Sequence, residues 1–163
     1  MSEIAKRAQA VLTAFEAAGK MLATAESCTG GMVAAALTDI AGSSTVVERG
    51  FVTYSNRAKA QLLGIDPALI EAKGAVSKEV AEAMARGALA NSATDVAVAV
   101  TGIAGPGGGS PEKPVGLVWF GLSISGQPTT TEHDVFAGDR AAVRRQATEK
   151  ALTLLLEGLN RLK

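Results

Sequence analysis

The sequence predicts a single α/β domain built on a mixed sheet. Short apolar runs, the clearest being the β-branched Val96 to Val100, alternate with stretches of helical periodicity. Glycine-bearing breaks follow those runs. A hairpin signal, Gly126-Gln127, separates the last two. Ser2 to Ala18 reads as the first helix: Ile4, Ala8, Val11, Leu12 and Phe15 keep a helical spacing, and Gly19 can close it. Met21 to Ala25 is the first strand. Glu26-Ser27-Cys28-Thr29-Gly30-Gly31 then breaks into a second helix ending near Ile40, and Ala41-Gly42-Ser43-Ser44 is a turn. Val46 to Tyr54 is the second strand, followed by a helix from about Asn56 to Leu63. Ser77 caps a further helix, with Glu79 in its first turn and Val80, Met84 and Ala88 as its buried stripe. Val96 to Val100 is a buried central strand and Thr101 to Pro114 a glycine-rich loop. Val115 to Ile124 and Thr130 to Phe136 form the hairpin. Arg140 to Leu162 is the closing helix, with Val143, Ala147, Ala151, Leu154 and Leu155 facing in.

The first three strands alternate with helices, so they should be parallel with right-handed crossovers, and the hairpin makes one late strand antiparallel. Ligands in such sheets gather at the carboxyl ends of the parallel strands. That rim collects Glu26 to Gly31, Tyr54 to Lys59 and Thr101 to Gly109. If the last strand runs with the first three, Gly138-Asp139-Arg140 joins them.

Composition narrows the function. Lys+Arg and Asp+Glu balance at 16 each with no basic run, and aromatic residues make up 4%. Neither phosphate neutralisation along a nucleic acid nor a base-stacking platform is provided for. One cysteine, Cys28, excludes an internal disulfide and a thiolate zinc site, and one histidine, His133, disfavours a His-based triad or metal cluster. No apolar run reaches the ~18 residues of a membrane span, and the amino terminus lacks the order of a secretory signal. A cytoplasmic enzyme or binding domain is expected.

Ser27 is the first side chain off a strand tip, followed by glycines that aim free N–H groups at whatever sits there. It is a candidate nucleophile, although Ser and Thr are also ordinary helix caps. Thr29, Gly30 and Gly31 are candidate substrate-binding positions. Cys28 is a rival nucleophile with no nearby histidine to activate it, and reads better as a small buried thiol. Lys59 shares a helix face with Leu62 and Leu63, so its amine either snorkels out or is held desolvated. Desolvation lowers a lysine pKa, and a neutral amine is a competent general base. Ser–Lys pairs serve where no histidine is available. Tyr54 stands at the end of the second strand, where its hydroxyl can relay a proton or simply cap the sheet edge. Thr101, Gly102 and Gly105 open an amide-rich loop that fits neither a Walker loop nor Gly-x-Gly-x-x-Gly. It can hold an anion through a backbone nest, or be a surface loop. Arg140 can meet a phosphate or carboxylate, whereas Arg144 and Arg145 are expected on a solvated face. Ser44 lies a full strand length from Lys59, roughly 26 Å at ~3.3 Å per residue, so it belongs at the opposite rim and pairs with Lys59 only across a dimer.

Together, Ala25-Glu26-Ser27-Cys28-Thr29-Gly30-Gly31, Arg49 to Asn56, Gly74-Ala75-Val76-Ser77, Gly102 to Pro106, Lys113-Pro114-Val115-Gly116 and Gly138-Asp139-Arg140 resemble the motifs of the CinA carboxy-terminal domain family. The resemblance covers nearly the whole chain. It implies a three-layer α/β/α fold with a mixed, mostly parallel five-stranded sheet. It also implies hydrolysis of the carboxamide of nicotinamide mononucleotide in pyridine-nucleotide recycling, with no metal and no cofactor. Ser27, Tyr54, Lys59, Thr101 and Arg140 fall at the positions where functional residues are expected. The expected partner is a small nucleotide substrate, not a nucleic acid or membrane; oligomeric state stays open. The leading alternative is a non-catalytic nucleotide- or partner-binding module, since family names refer to competence and DNA damage. A kinase-like enzyme is disfavoured by the missing Walker lysine.

Overall fold

The computed structural model describes residues 1–162. Its elements are α1 (Glu3–Ala18), β1 (Leu22–Glu26), α2 (Met32–Thr38), a 3-10 turn (Ser43–Thr45), β2 (Val47–Val52) and α3 (Asn56–Leu63). They continue with α4 (Pro67–Lys73), α5 (Lys78–Ala90), β3 (Val96–Gly102), β4 (Leu117–Ile124), β5 (Thr130–Val135) and α6 (Arg140–Arg161). Every expected element is present, with limits moved by a few residues. The helix α4 is additional. At seven residues it is too short for its periodicity to be read, but Asp66 caps it and Pro67 starts it, the usual N-terminal pairing.

The sheet has five strands in the order β2-β1-β3-β4-β5. β1 pairs in parallel with both β2 and β3, while β3–β4 and β4–β5 are antiparallel. Four strands therefore run one way and β4 alone opposes them. Because β5 runs with β1 to β3, the start of α6 joins the rim formed by their carboxyl ends. The chain leaves β1 for β2 on one side and returns to β3 on the other, so the gap between the tips of β1 and β3 is the topological switch point.

Strand alternation divides the core into two layers. Leu22, Val96, Val98 and Val100 pack with α1, α2 and α6, whereas Ala23, Ala25, Ala97 and Ala99 pack with α3, α4 and α5. The small residues on the second face let α5 lie close to the sheet. At Gly121 of β4 a Cβ would stand 2.3 Å from the Ala81 carbonyl oxygen and 2.9 Å from Ala85 Cβ, so only glycine fits there. Among the described residues no helix is long and apolar enough to cross a membrane.

Candidate active site

At the tip of β1 two neighbouring residues face opposite layers. Glu26 turns toward α2 and is fully buried. Its carboxylate accepts from Thr29 Oγ1 at 2.6 Å and from the N–H groups of Val33 and Ala34 at 2.9 and 3.1 Å. The N-cap of α2 is Gly31, with φ 105°, a conformation glycine adopts freely but with no side chain to satisfy the helix's first N–H groups. Glu26 supplies that cap from the strand, with the carboxylate at the favourable end of the helix dipole.

Ser27 continues the face of Ala23 and Ala25, toward α3. Its N–H donates to Val100 at 3.0 Å, which holds it in the switch point. On the other side Ser55 caps α3, its side chain accepting from Ala58 N–H. One turn in, Lys59 points back under the strand tips. It is 1% exposed, its Nζ donating to the Thr53 carbonyl at 2.9 Å and standing 3.0 Å from Ser27 Oγ. The amine does not snorkel to water. Burial pushes its pKa below the ordinary lysine value, opposed in part by nearby Cys28. Lys59 shares the buried face with Leu63 but not with Leu62, which is 50% exposed against the expectation. On a helix Leu63 lies about 40° to one side of Lys59 and Leu62 about 60° to the other, and α3 packs on α5 through the Leu63 side.

Cys28 is buried, and desolvation pushes its thiol up to about 11, so it stays protonated at neutral pH. Ser44 sits in the 3-10 turn before β2. Leu22 pairs with Val47 and Glu26 with Val52, so Ser44 lies at the amino rim, one strand length from Ser27 and Lys59.

A cleft of about 240 Å³ opens over the pair and is lined by Ser27, Cys28, Tyr54, Asn56, Lys59, Ala75, Val76, Thr101, Gly102, Ala104 and Arg140. Thr101 is buried and its hydroxyl donates to the Ala75 carbonyl at 2.8 Å, tying the segment between α4 and α5 to the tip of β3. Lys113 Nζ adds a second tie, to the Lys73 carbonyl at 2.6 Å. The Arg140 guanidinium spans the mouth, donating to Tyr54 Oη and to the Gly105 carbonyl, both at 2.9 Å. Beyond it a larger hollow of about 540 Å³ is lined by Pro106, Val115, Gly138 to Ala141 and Arg144. Ala104 and Arg140 belong to both spaces.

Not every expected position meets the cleft. Tyr54 is 61% exposed, and its hydroxyl is engaged by Arg140, not by Ser27 or Lys59. The Thr29 side chain is fully buried on Glu26, and Thr29, Gly30 and Gly31 are not among the lining residues. Gly105 contributes its carbonyl to Arg140. Arg144 is not on a solvated face: it is half-buried and donates to the carbonyls of Cys28 and Thr29. Its position one turn after Arg140 was the available signal. Asn56, Ala75 and Val76 were not singled out as site residues, although Asn56 lies in the Tyr54 to Lys59 stretch of the rim and all three fall within the family motifs.

The family model for the CinA C-terminal domain matches residues 4–159. The chain belongs to this family. Among its curated relatives, the nicotinamide-nucleotide amidohydrolase PncC of Escherichia coli is 53% identical over 154 residues, covering 94% of this chain and 93% of that protein. A CinA-like protein of Mycobacterium tuberculosis is 55% identical over 142 residues, which are 87% of this chain and 33% of that longer protein. The fold is also that of the crystal structure of competence/damage inducible protein CihA from Agrobacterium tumefaciens: TM-score 0.94, 46% identity, 98% of this chain and 97% of that one. The family's fold and the three-layer arrangement implied by the motifs therefore agree with the structure.

Proposed function

We propose that this chain hydrolyses the carboxamide of nicotinamide mononucleotide to nicotinic acid mononucleotide and ammonia, as a cytoplasmic step in pyridine-nucleotide recycling that uses no metal or cofactor. The observation that carries the mechanism is the buried contact between Lys59 Nζ and Ser27 Oγ at the switch point. The E. coli relative's name supports the substrate class.

A neutral amine has two N–H groups and one lone pair. One N–H donates to the Thr53 carbonyl, and the lone pair takes the Ser27 proton as Oγ adds to the amide carbon. The ammonium so formed gives that proton to the departing amide nitrogen. Ammonia leaves, and an ester on Ser27 remains. Water then adds to the ester carbon while Lys59 takes its proton. Collapse returns the proton to Ser27 Oγ and frees the acid, which ionises. The oxyanion needs an N–H donor, which the Gly102 amide in the cleft lining supplies. The pyridine ring and amide occupy the inner cleft. The ribose and phosphate occupy the outer hollow, with Arg140, at their junction, exchanging the Gly105 carbonyl for the phosphate. Tyr54 acts through Arg140 as the wall of the inner cleft.

The deciding assay is ammonia release from nicotinamide mononucleotide by the wild type and by Ser27→Ala, with nicotinamide riboside and free nicotinamide as controls. Turnover by the wild type alone supports the proposal. Tight binding of the mononucleotide without ammonia release would instead support a non-catalytic nucleotide-binding module.

A further inference from the structure

The Ser27–Gly31 turn is held from two sides. Glu26 grips it from the α2 side through the Thr29 hydroxyl. From the α6 side, more than a hundred residues later in the chain, Arg144 Nε donates to the Cys28 carbonyl at 3.0 Å and Nη2 to the Thr29 carbonyl at 3.3 Å. The guanidinium lies close over Gly30, where a Cβ would stand 3.3 Å from Nη2. We propose that Arg144 is a positioning residue for the hydrolysis: its two donors set the peptide planes after Ser27 and so hold Ser27 Oγ in place against Lys59 for attack. The proposal rests on the amide-hydrolysis function stated above.

A trans peptide is planar, with its C=O and the following N–H pointing opposite ways. Fixing the Cys28 carbonyl on the α6 side therefore directs the Thr29 N–H to the other side. The turn uses the Gly30 N–H for a bond to the Ser27 carbonyl and the Met32 N–H for one to the Thr29 carbonyl. Among the described residues the Thr29 N–H donates to no protein acceptor. Thr29 is fully buried and outside the cleft lining, so what the fixed planes position is Ser27, joined to them through the Cys28 amide. Arg144 also lines the outer hollow, but two of its donor atoms are already committed to the turn. Its hold on the turn is therefore present without substrate, and comparing the mononucleotide with its riboside separates that hold from a contact to the phosphate. A lysine cannot replace it, because one ammonium does not match two carbonyls in a fixed fork.

The test uses two activity measurements on the full chain, together with the melting midpoint of each protein, for the wild type, Arg144→Ala and Arg144→Lys. The first is kcat and KM for nicotinamide mononucleotide and its riboside. The second is labelling of Ser27 by a fluorophosphonate, in which the Oγ–P bond forms, the P–F bond breaks, the proton goes to Lys59 and fluoride leaves. Attack on phosphorus needs the same placement of Ser27 Oγ as attack on the amide carbon. Both substitutions should lower kcat about 10²-fold on both substrates with KM nearly unchanged, and slow labelling by about the same factor. Added methylguanidinium should restore part of both rates in Arg144→Ala. A KM rise confined to the mononucleotide, with kcat and labelling intact, would overturn the proposal and make Arg144 a phosphate ligand. Rates within twofold of wild type would also overturn it, as would a slowed Arg144→Lys enzyme whose melting midpoint has collapsed and whose alanine counterpart methylguanidinium does not rescue. Labelling that depends on Arg144 in a protein that releases no ammonia would refute the function proposed above while sustaining this positioning role.

Discussion

Replacing Lys59 with methionine tests the site most directly, because it keeps an unbranched chain of similar length in a nearly closed space. Lys59 has two partners, Ser27 Oγ at 3.0 Å and the Thr53 carbonyl at 2.9 Å. Methionine leaves the Thr53 carbonyl without its donor, a loss of about 1–3 kcal/mol for a buried group. Against that, an amine whose charged form is disfavoured by burial is no longer buried, so the net loss of stability should stay below ~3 kcal/mol. For a chain of this size that is a fall in Tm of no more than roughly 10 °C. Activity should respond very differently. Loss of the group that takes the Ser27 proton and later delivers it to ammonia should lower kcat by about 10²–10⁴, or about 2.7–5.4 kcal/mol of barrier. Lys59→Arg should be equally inactive, since a guanidinium does not deprotonate near neutral pH. The wild-type rate should rise with pH, because the base works as the neutral amine and the protonated fraction falls as pH passes the lowered pKa of Lys59. The measurements are steady-state ammonia release between pH 5 and 10 and thermal unfolding of each variant. A Lys59→Met enzyme within tenfold of wild-type kcat, or an active Lys59→Arg enzyme, would refute the assignment of Lys59 as the base.

Ser27→Ala should abolish turnover, and the Ser27→Ala/Lys59→Met double variant should lose little more, because residues that act as a unit are not additive; a double loss equal to the product of the single losses would show that they act separately. Cys28→Ala should retain substantial activity, and native Cys28 should resist iodoacetamide at pH 8, its thiol being pushed up to about 11 by burial; rapid alkylation that stops catalysis would contradict both. Arg140→Ala should raise KM for the mononucleotide more than for the riboside, and equal effects on both would remove Arg140 from the phosphate. Ammonia release should survive EDTA, since Ser27 and Lys59 supply nucleophile and base; loss on chelation, restored by Zn²⁺ or Mg²⁺, would overturn the metal-free scheme. Gly121→Ala should cost about 1–3 kcal/mol, seen as a lower Tm with kcat preserved in the folded fraction, because its Cβ would meet the Ala81 carbonyl at 2.3 Å.

The α/β class, the order of elements and the carboxyl-end rim were legible in the sequence, because each rests on local chemistry. Alternating residues on β3, Val96, Val98 and Val100 against Ala97 and Ala99, already separate the two faces of the sheet. Ser55 and Ser77 mark helix starts by the bonds that their own hydroxyls make. The family motifs name the same rim. What the sequence left open needed distances between segments far apart in the chain. Lys59 could snorkel or be buried, and only the packing of α3 beneath the tips of β1 and β2 chose burial and closed the 3.0 Å approach to Ser27. Tyr54 follows β2 as the rim rule expects, but its hydroxyl went to Arg140, a residue brought near by the return of β5. The apolar stripe of Val143, Ala147 and Ala151 marked the buried face of α6, but what the guanidinium of Arg144 beside it meets was not local. It faces the Ser27 turn because α6 packs on the α2 layer, which brings a residue of the last helix to a loop more than a hundred residues earlier.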